Sequence, residues 1–347
     1  MSEGPTIHIE VTRAEAGLRL DRLLQARIPW RSRPSLRALV NSGEVLLNGR
    51  GAKPARRVLA GDRVATSVRD PRPLSHQSLP RELSVLADDP DFLAVDKPAG
   101  LSTHPTGRHL RDNVLSALRW RYGEPPPHPV HRLDLETSGV LLCSRSREAH
   151  RVLALQFERR EVEKHYLAMV VGRLEQESGV FSGALGRDGG SEVRVRMRAG
   201  AGSGAPARTD FRVVARWQEF SLLCLRPYTG RQHQIRAHLA EAGHAVVGDK
   251  IYGPDERNFL AHLAGRLPEA ARRGLLLDRH ALHAAALRFR HPRTDAPIEV
   301  RAPLPADLGG FIEGLGPALG WAPGGDLLQE GGGRMSLKGL GGTLPLL

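Results

Sequence analysis

Cysteine is nearly missing from this 347-residue chain: Cys143 and Cys224 are the only two, one in VLLC and the other in SLLCL. Two thiols far apart, each in an apolar run that reads as a strand, argue against a disulfide framework and point to buried cysteines in a reducing compartment. No hydrophobic run approaches the ~20 residues of a membrane-spanning helix, so no membrane partner is expected. The opening MSEGPTIHIEV lacks the basic start and apolar core of a secretory leader, which makes a cytoplasmic location the expectation. Lysine is scarce too: Lys53, Lys97, Lys164, Lys250 and Lys338 are all there are, within a combined Lys+Arg count of 50. A GC-rich coding bias accounts for arginine standing in place of lysine. It does not account for 50 basic against 38 acidic residues, a formal charge of +12. That excess favours a polyanionic partner, nucleic acid first.

What is present is enough for two domains, since 40% of the residues are hydrophobic and the length exceeds that of a typical single core. Residues 1–70 hold 13 Lys+Arg and 7 Asp+Glu, a charge of +6 by difference. Leu20, Leu23, Leu24 and Ile28 recur at helical spacing and predict a short helix. Ser32 and Pro34 mark a second helix start, Leu36, Leu39 and Val40 form its apolar face, and Asn41 to Gly43 end it. Val45 to Leu47, the Asn48-Gly49 turn, Val58-Leu59 and Gly61-Asp62 before Val64 read as small strands with tight turns. Arg27, Arg31, Arg33 and Arg37 gather around the second helix start, where free backbone N–H groups favour phosphate oxygens. "LRLDRLLQARIPWRSRPSLRALVNSGEVLLNGR", closed by "LAGDRV", resembles the S4 RNA-binding domain. Pro71 to Pro80, PRPLSHQSLP, reads as a linker. From residue 81 to about 310, short β-type runs (LSVLAD, FLAVDK, GVLLCS, KHYLAMVVG, FRVVARW, FSLLCLRP, IEVRAP) alternate with helical stretches such as Asp112–Trp120 and His150–Arg160. Strands outnumber helices, so the expected class is α+β, with a mixed, largely antiparallel sheet. AGAGSGAPA, 199–207, reads as a flexible insertion or hairpin loop, and the glycine-rich tail 324–347 as disordered.

One stretch, HPVHRLDLETSGVLLCSRS (128–146), sets a polar, aperiodic segment ahead of a buried strand and so places Asp134 on a loop entering the sheet, where reactive groups are often presented. Alone, such an aspartate is more often a turn acid. The weight shifts when DFLAVDKPAGLSTHP, HRLDLETSG, KHYLAMVVG, TGRQHQIRAHLAEAGHAVVGDKIYG and LHAAALRFRHP are found in that order. Together they closely resemble the A-type pseudouridine synthases of large ribosomal subunits, the branch that also holds the C and D synthases, over roughly residues 80–305. An S4 domain ahead of the catalytic domain resembles the C and D arrangement in particular.

The resemblance implies isomerisation of uridine within RNA, with large-subunit ribosomal RNA or a precursor particle as the partner. Metal, nucleotide and other cofactors play no part in the family's chemistry, and a monomer is expected. Asp134 matches the family's catalytic aspartate, which attacks C1′ or takes a proton from C2′; both routes stay open. Arg236 matches the arginine paired with it, and a guanidinium suits that role because it stays charged and grips a carboxylate with two donors. Tyr166 matches the tyrosine whose ring stacks on the target base. Arg132 matches the arginine that fills the space left by the extruded base, and Val246 the aliphatic residue against that base. Arg231, His233 and Gln234 orient the catalytic loop or bind phosphates, and His131 holds the loop by hydrogen bonds. STHPT and PYTG vary mildly from the family wording, and the Arg-rich 192–208 stretch bears on which RNA fits.

Other classes find less support. His233 and His238 miss the i, i+4 spacing of a zinc helix, and His280/His283 lacks a third ligand at a recognised spacing. GRDGG and GAGSGAPA lack the Lys-Ser/Thr of a phosphate loop. A hydrolase pairing Asp134 with Glu136 finds no partner motif. The principal alternative is a non-catalytic RNA-binding factor of ribosome assembly on the same fold.

Overall fold

A computed structural model of the chain describes residues 7–28, 33–66, 82–106, 109, 112–200, 202 and 204–321. Arg31, the 71–80 linker and the 324–347 tail expected from sequence lie outside these residues. The described chain forms two compact units, one running to Glu82 and including Ser102–Pro125, the other made of Leu83–Leu101 and the residues from Pro126 onward. The sequence pattern, by contrast, assigns 102–125 to the second unit.

In the first unit, strands β1 (Ile7–Glu10), β2 (Val45–Leu47), β3 (Arg50–Gly51) and β4 (Arg63–Thr66) form an antiparallel sheet in the order β1-β4-β2-β3. Helices α1 (Leu20–Arg27) and α2 (Arg33–Asn41) pack against each other and share its core with Ile9, Val45, Leu47 and Val64 of the sheet. The periodic residues of the sequence are the ones that go inside: Leu20, Leu23, Leu24, Ile28 and Leu36 are fully buried, each contributing about 1.5–3 kcal/mol of apolar burial. Leu47 pairs with Arg50 across Asn48-Gly49, as a two-residue hairpin turn requires. The unit also holds α3 (Val114–Tyr122), which begins two residues later than its sequence pattern suggests because the Asn113 side chain accepts the Ser116 N–H and caps it.

The second unit is built on one large sheet. Its strands are β5 (Ser84–Asp88), β6 (Phe92–Lys97), β7 (His128–Pro129), β8 (Ser138–Ser144), β9 (Glu163–Val171), β10 (Ser178–Arg187), β11 (Met197–Ala199), β12 (Ala205–Arg216), β13 (Phe220–Pro227), β14 (Leu282–Arg290), β15 (Pro297–Arg301) and β16 (Gly320–Trp321). The main order is β11-β10-β12-β13-β9-β14-β8-β6-β5, with β15 on β14, β16 on β12 and β7 on β8. Only the β8–β14 pairing is parallel among those described. The mixed, largely antiparallel sheet and the α+β class expected from sequence are therefore present.

Among the described residues the unit also holds helices α4 (Arg147–Glu158), α5 (Gln234–Glu241), α6 (Arg257–Leu263), α7 (Glu269–Leu275) and α8 (Ala306–Gly314). Helix α4 starts at Arg147 because the Ser146 side chain accepts the Ala149 N–H. The central core joins Leu167, Val170, Leu223 and Leu225 of β9 and β13 to Leu239 of α5 and Leu308 of α8. A neighbouring core joins Phe92, Leu142, Leu153 and Phe289 from β6, β8, α4 and β14. Cys143 and Cys224 are both buried and form no disulfide, as their apolar contexts indicated.

The parallel junction depends on Gly139. Its φ is +110°, and a β-carbon there would lie 2.2 Å from the Ala284 carbonyl oxygen. Only glycine permits both the angle and the approach. That close contact sets the end of β8 against β14, directly after the loop that carries Asp134.

Candidate active site

Asp134 lies on the loop between β7 and β8, whose neighbouring residues are held from several sides. The Leu135 carbonyl accepts from the Lys97 ammonium (3.1 Å) and from the Gly100 N–H (2.9 Å). Lys97 is fully buried and also donates to the Pro98 and Leu101 carbonyls. Burial draws its pKa down to about 7. The Glu136 carboxylate accepts from the Lys250 ammonium at 2.7 Å and the His280 N–H at 3.1 Å, and Thr137 meets the His280 ring at 2.8 Å. The residues after Asp134 are therefore spoken for, and of positions 134–136 Asp134 alone lines the cleft. Glu136 is occupied as an anchor, which removes the acid/base pairing that a hydrolase would need.

Helix α5 brings the cation. Its residues Gln234 to Leu239 are all buried, so it carries no amphipathic stripe and the sequence gives little periodic sign of it. Arg236, 4% exposed, donates to Asp134 at 3.0 Å and grips Asp249 with two bonds of 2.6 and 2.8 Å. Asp249 is itself fixed by the Ile251 and Tyr252 N–H groups at 2.9 and 3.0 Å. The turn that presents it relies on Gly248, whose β-carbon would meet the Arg279 carbonyl oxygen at 2.0 Å. The chain of contacts is thus Asp249, Arg236, Asp134. Burial opposes ionisation of Asp134, but the guanidinium beside it prevails and holds the carboxyl below its ordinary value of 3.8. Asp249 is lowered as well, burial again being outweighed by Arg236.

The cleft has a volume of about 630 Å³. Tyr166, partly buried on β9, forms one wall, and burial together with the Asp134 charge pushes its hydroxyl pKa up. Arg132 and Arg231 stand exposed at the mouth. His131 accepts the Leu142 N–H at 3.0 Å and stacks on Phe157 at 4.7 Å between centroids. Burial takes its pKa down to about 3, so it is a neutral acceptor. His233 has a left-handed φ of 55°, approaches Asp134 at 3.9 Å and meets the Tyr252 hydroxyl at 3.2 Å. Burial lowers it to about 4. Gln234 is 4% exposed; its amide oxygen accepts from Thr229 and the Arg231 N–H, while its nitrogen donates to the Arg208 carbonyl and Thr209. Both ends are used inside the protein, so it braces the turn bearing Arg231 and offers nothing free to a ligand.

Val246 does not line the cleft. It is 2% exposed in the core and bridges Val170. Arg27, Arg33 and Arg37 belong to the first unit. Arg27 clasps Glu15 at 2.7 and 2.9 Å, while Arg33 and Arg37 converge on the inaccessible Asp21 at 3.0 and 3.9 Å. Part of the positive charge assigned to phosphate at the second helix start is thus spent internally. Asp249, Lys97 and Lys250 are not singled out by the sequence, although DFLAVDKPAG contains Lys97 and GDKIYG contains the other two. Asp89, Asp91 and His291 bring potential ligand atoms within 4.8 Å of one another, but Arg293 already pairs with Asp91 at 2.5 Å.

Comparison with known proteins identifies the family. Residues 91–241 match the family model described as RNA pseudouridylate synthase, and residues 18–64 match the S4 domain. An RNA pseudouridine synthase of Bacillus subtilis (strain 168), itself uncharacterised, is 31% identical over 89% of this chain and 98% of its own. The ribosomal large subunit pseudouridine synthase D of Nitrosomonas europaea is 33% identical over 89% of this chain and 88% of its own. Among solved structures, human RNA pseudouridylate synthase domain containing 1 is 27% identical, with a TM-score of 0.51 over 68% of this chain and 95% of that one. Coverage of nearly the whole of several relatives, at identities above 30%, settles the membership: this chain belongs to the RNA pseudouridine synthases, isomerases that convert uridine to pseudouridine in RNA, and it carries an S4 RNA-binding domain.

Proposed function

We propose that the chain isomerises uridines of large-subunit ribosomal RNA and that Asp134 opens the glycosidic bond. The observation that carries this is the Asp134 carboxylate, lining a 630 Å³ cleft and kept ionised by a buried arginine. In the reaction the N1–C1′ bond breaks, the uracil turns, C5 bonds to C1′, and the hydrogen on C5 is exchanged for one on N1. An ionised Asp134 serves either as nucleophile at C1′ or as base at C2′. Tyr166 offers a face for the uracil, a contact worth ~1–3 kcal/mol in other nucleic-acid sites. Extruding the base costs a few kcal/mol, and Arg132 at the mouth fills the space it leaves. Arg231 binds a phosphate. Residues 1–70 supply affinity for RNA as an S4-like domain, 71–80 link it to the catalytic domain of 81–310, and the protein acts as a monomer. The ribosomal target rests on relatives that bear the name of large-subunit synthases.

The test is tritium release from 5-tritiated uridine in ribosomal RNA, with native protein and Asp134→Asn side by side. Release by the native protein alone is expected. Equal release by Asp134→Asn would remove Asp134 from the chemistry, and no release from naked RNA or large subunits would favour the assembly-factor alternative.

A further inference from the structure

Five cationic side chains line the cleft, against two carboxylates, Asp134 and Glu158. Arg236 is committed to Asp134 and Asp249. At Lys164 and Arg160 the balance is different. Lys164, on β9, is partly buried, and no carboxylate or hydrogen-bond acceptor lies against its ammonium among the described residues. Its charged neighbour is another cation, Arg160; burial first, and that guanidinium second, pull its pKa down to about 8. His131, also lining the cleft, is neutral and brings no negative charge.

Arg160 adds an independent sign. It follows α4 at a φ of +62°, its N–H bonded to the Phe157 carbonyl and the next N–H to that of Gln156. Helices that end this way usually place glycine there, because a β-carbon strains the left-handed conformation. An arginine holds the position instead, lines the cleft and has no carboxylate partner among the described residues. A partly desolvated ammonium beside a guanidinium, without a counter-ion, is costly in the free protein and is relieved by an incoming anion. Lys164 and Tyr166 both line the cleft, two residues apart on one face of β9 and so separated by roughly 6.6 Å along the strand.

We propose that Lys164 and Arg160 form a phosphate subsite that receives the RNA backbone phosphate adjoining the target uridine. The proposal rests on the reading that the reaction takes place at Asp134. Lys164 supplies a compact charge and Arg160 a forked donor, and together they seat the nucleotide with its base against Tyr166. Lys164 is a positioning residue and takes no part in bond breaking.

The experiment uses the full chain and a synthetic hairpin RNA that the native protein modifies at one uridine. Neutral methylphosphonate is placed at the phosphate 5′ or 3′ of that uridine, and Kd, KM and kcat are measured for native protein, Lys164→Gln, Lys164→Arg and Arg160→Gln. Native protein is expected to lose about tenfold in affinity for one of the two modified RNAs, which identifies the phosphate. Lys164→Gln should bind unmodified RNA about tenfold more weakly, with KM rising more than kcat falls, and should be indifferent to that methylphosphonate; Lys164→Arg should restore most of the loss. If Lys164→Gln responds to both methylphosphonates as strongly as native protein does, the subsite is wrong. Loss of kcat without loss of affinity would overturn it equally. Failure of the Asp134 reading is seen separately, as tritium release by Asp134→Asn.

Discussion

The charge on Asp134 depends on Arg236, and the reach of Arg236 depends on Asp249. Because the Asp134 carboxyl is held below 3.8, it is ionised above that value and protonated only as pH falls through its lowered pKa. The rate of tritium release should therefore show no acid limb between about pH 5 and 8; a limb centred above 4.5 would mean that burial outweighs the arginine. Asp249→Asn keeps an acceptor for the Ile251 and Tyr252 N–H groups but strips the buried guanidinium of its main counter-charge. Breaking a buried pair in this way costs about 3–5 kcal/mol, read as a lower denaturant midpoint, and turnover should fall with it because Arg236 no longer points at Asp134. Native Asp249 has a depressed pKa, so its contribution to stability is present above the ordinary carboxyl value and is lost as pH drops below it. At this scale the sequence already displays Asp134, Tyr166 and Arg236 inside long motifs. Asp249 and Lys97 sit in the same motifs without a distinguishing sign, since a buried acid and a surface acid look alike until a partner is located.

At the level of elements, the loop after β7 is held by Lys97 of β6, by the turn at Gly100, and by Lys250 and His280 ahead of β14. Gly139 is the tightest point. Gly139→Ala would force a β-carbon to within 2.2 Å of the Ala284 carbonyl at a φ of +110°, so the β8–β14 pairing must open, at roughly 3 kcal/mol or more. Thermal unfolding of the purified variant checks this, and a midpoint equal to that of native protein would show that the sheet yields cheaply. Strands such as β6 and β13 are legible in the sequence because continuous apolar runs announce them. Strand β10, SGVFSGALGR, is not: it alternates small and exposed residues and takes its strand character from pairing with β12. Helix α5 goes unannounced for the opposite reason, being buried on every side.

Across the whole molecule the relevant quantity is the charge of +12. RNA binding should weaken steeply with salt, by a log–log slope of about 0.7 for each phosphate engaged on single-stranded RNA. Arg37, 55% exposed and only loosely drawn to Asp21 at 3.9 Å, is the freest of the three described arginines that the sequence assigned to phosphate. Arg37→Glu should lower affinity and flatten the salt slope by about one contact, with kcat at saturating RNA unchanged; filter binding at several salt concentrations decides it. Composition, periodicity and long motifs are local properties of a chain, and they suffice for the class of partner, the α+β composition, the helical faces of the first unit and the family. Tertiary structure alone decided which charges meet. Arg236 lies 102 residues from Asp134, Lys164 lines the cleft with no carboxylate paired to its ammonium among the described residues, and Arg33 reaches back across 12 residues to the buried Asp21. Ionisation, burial and pairing are set by distances through space, and those exist only once the sheet has closed around the cleft.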